Sequence, residues 1–209
     1  MRSMALSLLT AAFLAGCQYS AEPTITEPVQ VYVSDTRKNP GKYLLYIDAS
    51  ELSRNVRASD FTCIAHTFPV DLRAGFKTAV ELAMQQQFET VETVIAPVKQ
   101  SELRARQAAG VIKVTGITLD AELTAVPGFL RNTMNTSVLM TAGLTVDGSA
   151  NGRLLGTTVQ GAGKAQADGG MACEGGSRAF NASSEAAIAQ ATRQIVEAIA
   201  NSPEIRNNR

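Results

Sequence analysis

Residues 111–124 read VIKVTGITLDAELT, and the alternation in their second half decides the fold. Ile117, Leu119, Ala121 and Leu123 are apolar, while Thr118, Asp120, Glu122 and Thr124 between them are polar. Successive side chains of a strand point to opposite faces, so this pattern describes a sheet with one buried face and one wet face. Ile112 and Val114 sit on the opposite parity, and Gly116 stands at the switch, where a bulge would re-aim the strand.

The same alternation returns after Pro127-Gly128 at Val138, Met140, Ala142, Leu144 and Val146. Gly148-Ser149-Ala150-Asn151-Gly152 then marks a hairpin turn. The returning stretch, residues 153–167, is glycine-rich and reads as a strand that is bent or near an edge. These three strands form an antiparallel meander.

Upstream, residues 42–49 (KYLLYIDA) and 60–67 (DFTCIAHT) are strand candidates, the second carrying Cys63. Pro69 suits the first turn of a helix to about residue 89. Leu72, Phe76, Val80, Ala83 and Phe88 recur there at helical spacing. Residues 90–98 read as a strand stopped by Pro97, and residues 101–109 as a short polar helix ended by Gly110. Downstream, DGGMACEGGS is a loop holding Cys173. A final helix follows over residues 183–201, striped by Ile188, Ala191, Ile195 and Ile199 and capped by Asn181 or Ser183. The tail after Pro203 is polar and is expected to fray.

The summed order predicts an α+β fold: an antiparallel β-sheet with two α-helices packed on one face, preceded by a signal peptide and a flexible tether. The other sheet face would be open or covered by a partner.

The start of the chain supplies an address. Residues 1–17, MRSMALSLLTAAFLAGC, have a basic start at Arg2, an apolar run over residues 4–13, and small residues leading into Cys17. That run is too short to span a hydrocarbon core, which takes about 20 residues, and it has the form of a secretion signal. Leu14-Ala15-Gly16-Cys17 reads as a lipobox, with cleavage before Cys17 and acylation of its thiol and freed amine. The expected organisation is a signal peptide over 1–16, a lipidated N-terminus and tether over 17–40, and one periplasmic domain over 41–205. Within the tether, Val29, Val31 and Val33 alternate and could form an edge strand. Gln18 rather than Asp after the cysteine implies, by the rule for bacterial lipoproteins, sorting to the outer membrane.

Composition narrows the function classes. The chain has 209 residues, 45% of them hydrophobic, enough for a real core. Lys+Arg and Asp+Glu number 19 each, and loss of Arg2 with the signal leaves a net charge of about −1. Phosphate binding needs a concentrated positive field, so no nucleic-acid partner is expected. With Cys17 set aside, Cys63 and Cys173 remain as a pair in an oxidising compartment. They would form a disulfide, or else persist as two free thiols.

Residues that could carry chemistry are few. His66 is the only histidine, and Cys63-x-x-His66 is half a metal site with no second half. Three apart on a strand, the two side chains would point to opposite faces. No G-x-S-x-G elbow accompanies His66. Residues 156–164 (GTTVQGAGK) resemble a phosphate loop, but Gly-Ala-Gly stands where Gly-Lys-[Ser/Thr] is required. Asp168 and Glu174, each followed by two glycines, offer too few oxygens for a cation. Asp120 and Glu122 are neighbours on a solvated strand face. Asn135 and Asn181 match glycosylation sequons that a bacterial lipoprotein gives no reason to use. The expectation is therefore no catalytic residue, no metal, no cofactor beyond a covalent lipid on Cys17, and no enzymatic activity.

The lipobox, the amphipathic front helix, the meander and the alanine-rich terminal helix together resemble small bacterial outer-membrane lipoproteins of the YajG type. The layout is also similar to that of LptE, the lipoprotein that plugs the lipopolysaccharide translocon, and of auxiliary lipoproteins of lipid-transport systems. The likeness runs over residues 42–205 in element order, with the best local matches at 111–124, 142–147 and 183–200. Cys63, Cys173 and the strand before Pro69 depart from that pattern. The resemblance implies a non-enzymatic accessory or assembly subunit of a cell-envelope complex. It would be held to the membrane by its lipid and would meet an envelope protein partner through the open sheet face or a strand edge. The alternative is a periplasmic carrier or sensor holding a lipid or glycan between helices and sheet.

Overall fold

The computed structural model describes residues 20–25, 37–59, 63–129, 131–170 and 173–207. Cys17, the signal peptide and the Val29–Val33 alternation lie outside them. The chain runs β1 (Asn39–Asp48), β2 (Ser53–Arg57), β3 (Thr67–Asp71), α1 (Arg73–Gln87), β4 (Phe88–Val94), α2 (Gln100–Leu103), β5 (Gly110–Val126), β6 (Thr133–Gly148), β7 (Gly152–Asp168), α3 (Gly175–Ala200) and α4 (Pro203–Arg206).

The main sheet has the order β4-β1-β5-β6-β7, and β2-β3 form a separate antiparallel pair. The expected wholly antiparallel α+β sheet is corrected here. β1 runs parallel to both β4 and β5, and only β5-β6-β7 are antiparallel, so the sheet is mixed. Parallel neighbours require crossovers. The first, through β2, β3 and α1, passes over one face, and the second passes back over the other. There Val98, Leu103 and Ala108 pack on Leu44 and Val111 in a small second core. α1 and α3 share the main core, so helical structure covers both faces rather than one. The signature was present in β1: Tyr43, Leu44 and Leu45 are all fully buried, the continuous apolar run of a strand covered on two sides.

The meander follows the sequence pattern closely. Val138, Met140, Ala142, Leu144 and Val146 are all fully buried, and the hairpin closes with Gly148 opposite Gly152. The register of β5 against β6 shifts between Gly116 and Thr118. Ile117 is the extra residue of that bulge and is 47% exposed, so the buried face resumes at Leu119 and not at Ile117.

Further corrections concern boundaries. Pro69 lies inside β3, opposite Asn55, and not at a helix start. Its carbonyl accepts the Ala21 N–H at 2.8 Å, so its own missing N–H is on the side away from β2 and interrupts no β2–β3 bond. Of the stretch expected as a strand around Cys63, residues 60–62 lie outside the described residues, and residues 63–66 form a turn in which the His66 N–H donates to the Cys63 carbonyl at 3.0 Å. α3 begins at Gly175, eight residues before the expected start, so Asn181 and Ser183 are interior positions and cap nothing. Past Pro203 the chain forms α4, with Ser202 as its N-cap and Ile205 buried. Among the described residues no helix is long and apolar enough to cross a membrane.

Part of the segment read as tether is built into the body. Ala21 is fully buried, bridged to Val70, and its carbonyl accepts the Asp71 N–H at 3.0 Å. A Cβ at Gly75 would lie 2.7 Å from the Pro23 carbonyl, so α1 meets this segment backbone to backbone.

Candidate functional site: the open sheet face

α3 lies over the inner face of β6 and β7, and its approach is set by glycines. A Cβ at Gly161 would sit 2.0 Å from the Ala187 carbonyl oxygen, and one at Gly163 would sit 1.9 Å from that of Ser183. These are the glycines of the failed phosphate loop. Their purpose is contact between a strand and a helix backbone. Facing them, Ser183, Ala187 and Ala191 form a stripe of small residues at four-residue spacing. Beneath, Thr136 donates to the Ser183 hydroxyl at 3.0 Å.

α3 also closes the sheet at β7. The Gln160 N–H donates to Gln194 Oε1 at 3.2 Å and the Ala162 N–H to Gln190 Oε1 at 2.9 Å. These two outward amides of the edge strand are thereby occupied by side chains and not offered for pairing. At the other edge, β4 carries the exposed carboxylates Glu89, which accepts the Gly41 N–H at 3.2 Å, and Glu92. Glu92 pairs with Lys42 at 2.5 Å, and the hydrogen bond from that ammonium holds its carboxyl below the usual range. Ile95, just past β4, is wholly exposed.

Beyond the contact of α2 with Val111, the outer face of β5-β6-β7 carries no helix among the described residues. Register aligns Thr118 with Thr141 and Gln160, Asp120 with Leu139 and Ala162, and Glu122 with Ser137 and Lys164. Two apolar side chains stand among these polar rows, Ile117 at 47% exposure and Leu139 at 40%. Gly143 lies beneath Ile117, for a Cβ there would be 3.5 Å from Ile117 Cδ1. Arg54 flanks the face from β2, 2.6 Å from Asp120 and 3.3 Å from the Leu119 carbonyl. The face is mostly polar, and the bulge is what turns Ile117 onto it.

The remaining sequence candidates are placed as follows. Cys63 and Cys173 form a disulfide, Cα atoms 6.2 Å apart, spanning 110 residues. The bond occupies the Cys63 sulfur, so Cys63 and His66 make no ligand pair. Asp168 is paired with Arg131 at 2.7 Å and accepts the Gly170 N–H at 3.0 Å. The Arg131 guanidinium, with that amide, holds its carboxyl below the usual range. Among the described residues no group of three or more His, Cys, Asp or Glu could hold a metal.

A cleft of about 570 Å³ opens at the far end of the sheet, lined by Arg37, Lys38, Gln87, Ala200 and Arg206 among others. Lys38 Nζ donates to the Gln85 carbonyl at 2.8 Å and Asn39 Nδ2 to the Gln87 carbonyl at 3.1 Å. These groups satisfy carbonyls at the C-terminus of α1, where positive charge is favoured.

No family model matches the chain, and no curated protein matches it. Among solved structures it is similar to the hypothetical protein CT253 from Chlamydia trachomatis, at 11% identity and a TM-score of 0.43, over 79% of this chain and 98% of that one. A Helicobacter pylori protein described as a homolog of neuraminyllactose-binding hemagglutinin is similar at 10% identity and a TM-score of 0.42, over 85% of this chain and 91% of that one. Likeness at this level carries no argument about function.

Proposed function

We propose that this chain is a lipid-anchored outer-membrane lipoprotein facing the periplasm, acting as a non-enzymatic accessory or assembly subunit of a cell-envelope complex. The observation that carries the reading is the uncovered outer face of β5-β6-β7, where Ile117 and Leu139 stand exposed on an otherwise polar sheet. Cover by a partner would take both side chains out of water, a favourable term. The lipobox at Cys17 supports the address, and the Cys63–Cys173 bond suits an oxidising compartment. The carrier alternative needs an apolar cavity between helices and sheet. Contact between α3 and the glycines of β7 leaves no such space there.

The test is photo-crosslinking in living cells with probes at Thr118, Glu122 and Thr145, all on the open face. One dominant envelope-protein adduct is expected. Adducts to lipid or glycan alone would favour the carrier, and no adduct at any of the three would overturn docking through this face.

A further inference from the structure

The end of the molecule toward which the chain runs back from Ala21 carries exposed apolar side chains. Ala21 is bridged to Val70, which faces Arg54 of β2. Arg54 in turn reaches the Leu119 carbonyl and the Asp120 carboxylate, so Ala21 lies about level with Asp120. The direction follows from the pairing. β2 runs parallel to β5 at Ala58–Leu123, β3 is antiparallel to β2, and Ala21 pairs parallel to β3. The chain at Ala21 therefore runs opposite to β5. Followed back through Ser20 it heads for the end where Val126 lies.

Val126 is 45% exposed there, and Phe129 beyond it is 100% exposed. The Phe129 turn is tight, since a Cβ at Gly128 would lie 2.3 Å from the Arg131 carbonyl. It is also braced, because the Asn132 carbonyl accepts the Gly169 N–H at 2.7 Å. The disulfide secures the turn bearing Ile64, 52% exposed, to Cys173 just before α3 at this same end.

Lengths then decide the contact. Cys17 is four residues before Ala21, a reach of about 14 Å at full extension. From Asp120 to Val126 is six residues of strand, about 20 Å, with Phe129 farther still. With Cys17 acylated, Ala21 lies within about 14 Å of the bilayer, less than the length of strand that separates its level from Val126.

We infer that this end of the protein rests on the phospholipid surface, with Phe129 buried at the boundary between headgroups and acyl chains and Ile64 beside it. This rests on the lipid anchor proposed above. The strands then stand steeply on the membrane, and the open face of β5-β6-β7 looks along it. A second apolar contact beside an acyl anchor is a known route to firm seating.

The sequence has no tryptophan, so F129W would carry the sole indole, and I95W, at an equally exposed site level with the opposite part of β5, serves as control. The full protein, expressed in a lipidating host, is reconstituted into phosphatidylethanolamine–phosphatidylglycerol vesicles with and without brominated phosphatidylcholine. The mass of its N-terminal peptide is recorded alongside. F129W emission is expected to shift to the blue and to be largely lost with brominated lipid, while I95W keeps the emission of an indole in water. An acylated protein that floats with vesicles yet shows equal, weak quenching at both positions overturns the seating alone. An N-terminal peptide without acyl mass overturns the anchor and the seating with it.

Discussion

Replacing Gly163 by alanine tests the α3–β7 contact most sharply, because an ordinary strand glycine and this one respond with opposite signs. In an unconstrained strand, Gly→Ala removes unfolded-chain entropy and stabilises by about 0.4–1 kcal/mol. At position 163 the new Cβ would lie 1.9 Å from the Ser183 carbonyl oxygen, where contacts below 3.0 Å are essentially never seen. That oxygen belongs to helix backbone and cannot rotate aside, so α3 must lift by at least about 1 Å. Lifting stretches the Gln190–Ala162 hydrogen bond from 2.9 Å beyond bonding range and opens the packing along β7. Overpacking of this kind costs about 1–3 kcal/mol. G163A is therefore expected to lose about 2 kcal/mol, seen in urea unfolding followed by circular dichroism as a lower midpoint at unchanged slope. G161A meets the Ala187 carbonyl in the same way, and one helix displacement relieves both clashes. The double variant should cost clearly less than the two singles added. G156A is the control, its nearest atom being a flexible Arg153 nitrogen at 3.4 Å, and it should be neutral or slightly stabilising. A G163A protein as stable as G156A would refute the reasoning.

Two other outcomes follow from the same structure. The disulfide closes a loop of 110 residues, so its replacement by C63A/C173A should cost about 4–5 kcal/mol on the chain-entropy relation, measured by the same urea unfolding under oxidising conditions. Asp71 has its carboxyl held below the usual range, chiefly by its hydrogen bond from the Arg73 side chain and further by the Arg73 N–H. A lowered folded pKa gives stability that is present above the ordinary carboxylate value of about 3.9 and is lost as pH falls through the folded value. The melting-temperature gap between the native protein and D71N should thus be widest near neutrality and close in acid. A gap unchanged down to pH 2.5 would count against the pair.

Strand and helix identity was legible wherever one side of an element faced water. The alternation of β6 and the stripe of α3 appear in the structure as buried residues at the expected parity. The meander and its hairpin were legible for the same reason, since turn residues and period act within a few neighbours. Elements covered on both sides lost that contrast, as β1 did, and with it went the clue to its parallel partners. Glycine pairs were misread for a related reason: Gly175 and Gly176 look like loop, yet their missing side chains admit the Asp168 carbonyl and the Phe68 ring against a continuous helix. The candidate face was foreseen only as an uncovered side of the sheet. Its apolar spot depends on where the bulge falls, and one residue decides whether Ile117 is core or surface.

By itself, then, the sequence determined the local periods, the turns, the signal-like start and the availability of Cys63 and Cys173 as partners. Those are encoded over short spans, or by composition. The mixed strand order, the second core over β1 and the pinning of Ala21 beside β3 were settled only by tertiary packing. Each of these is a relation between segments tens of residues apart, set by which surfaces pack best once the whole chain is folded, and no local pattern carries it.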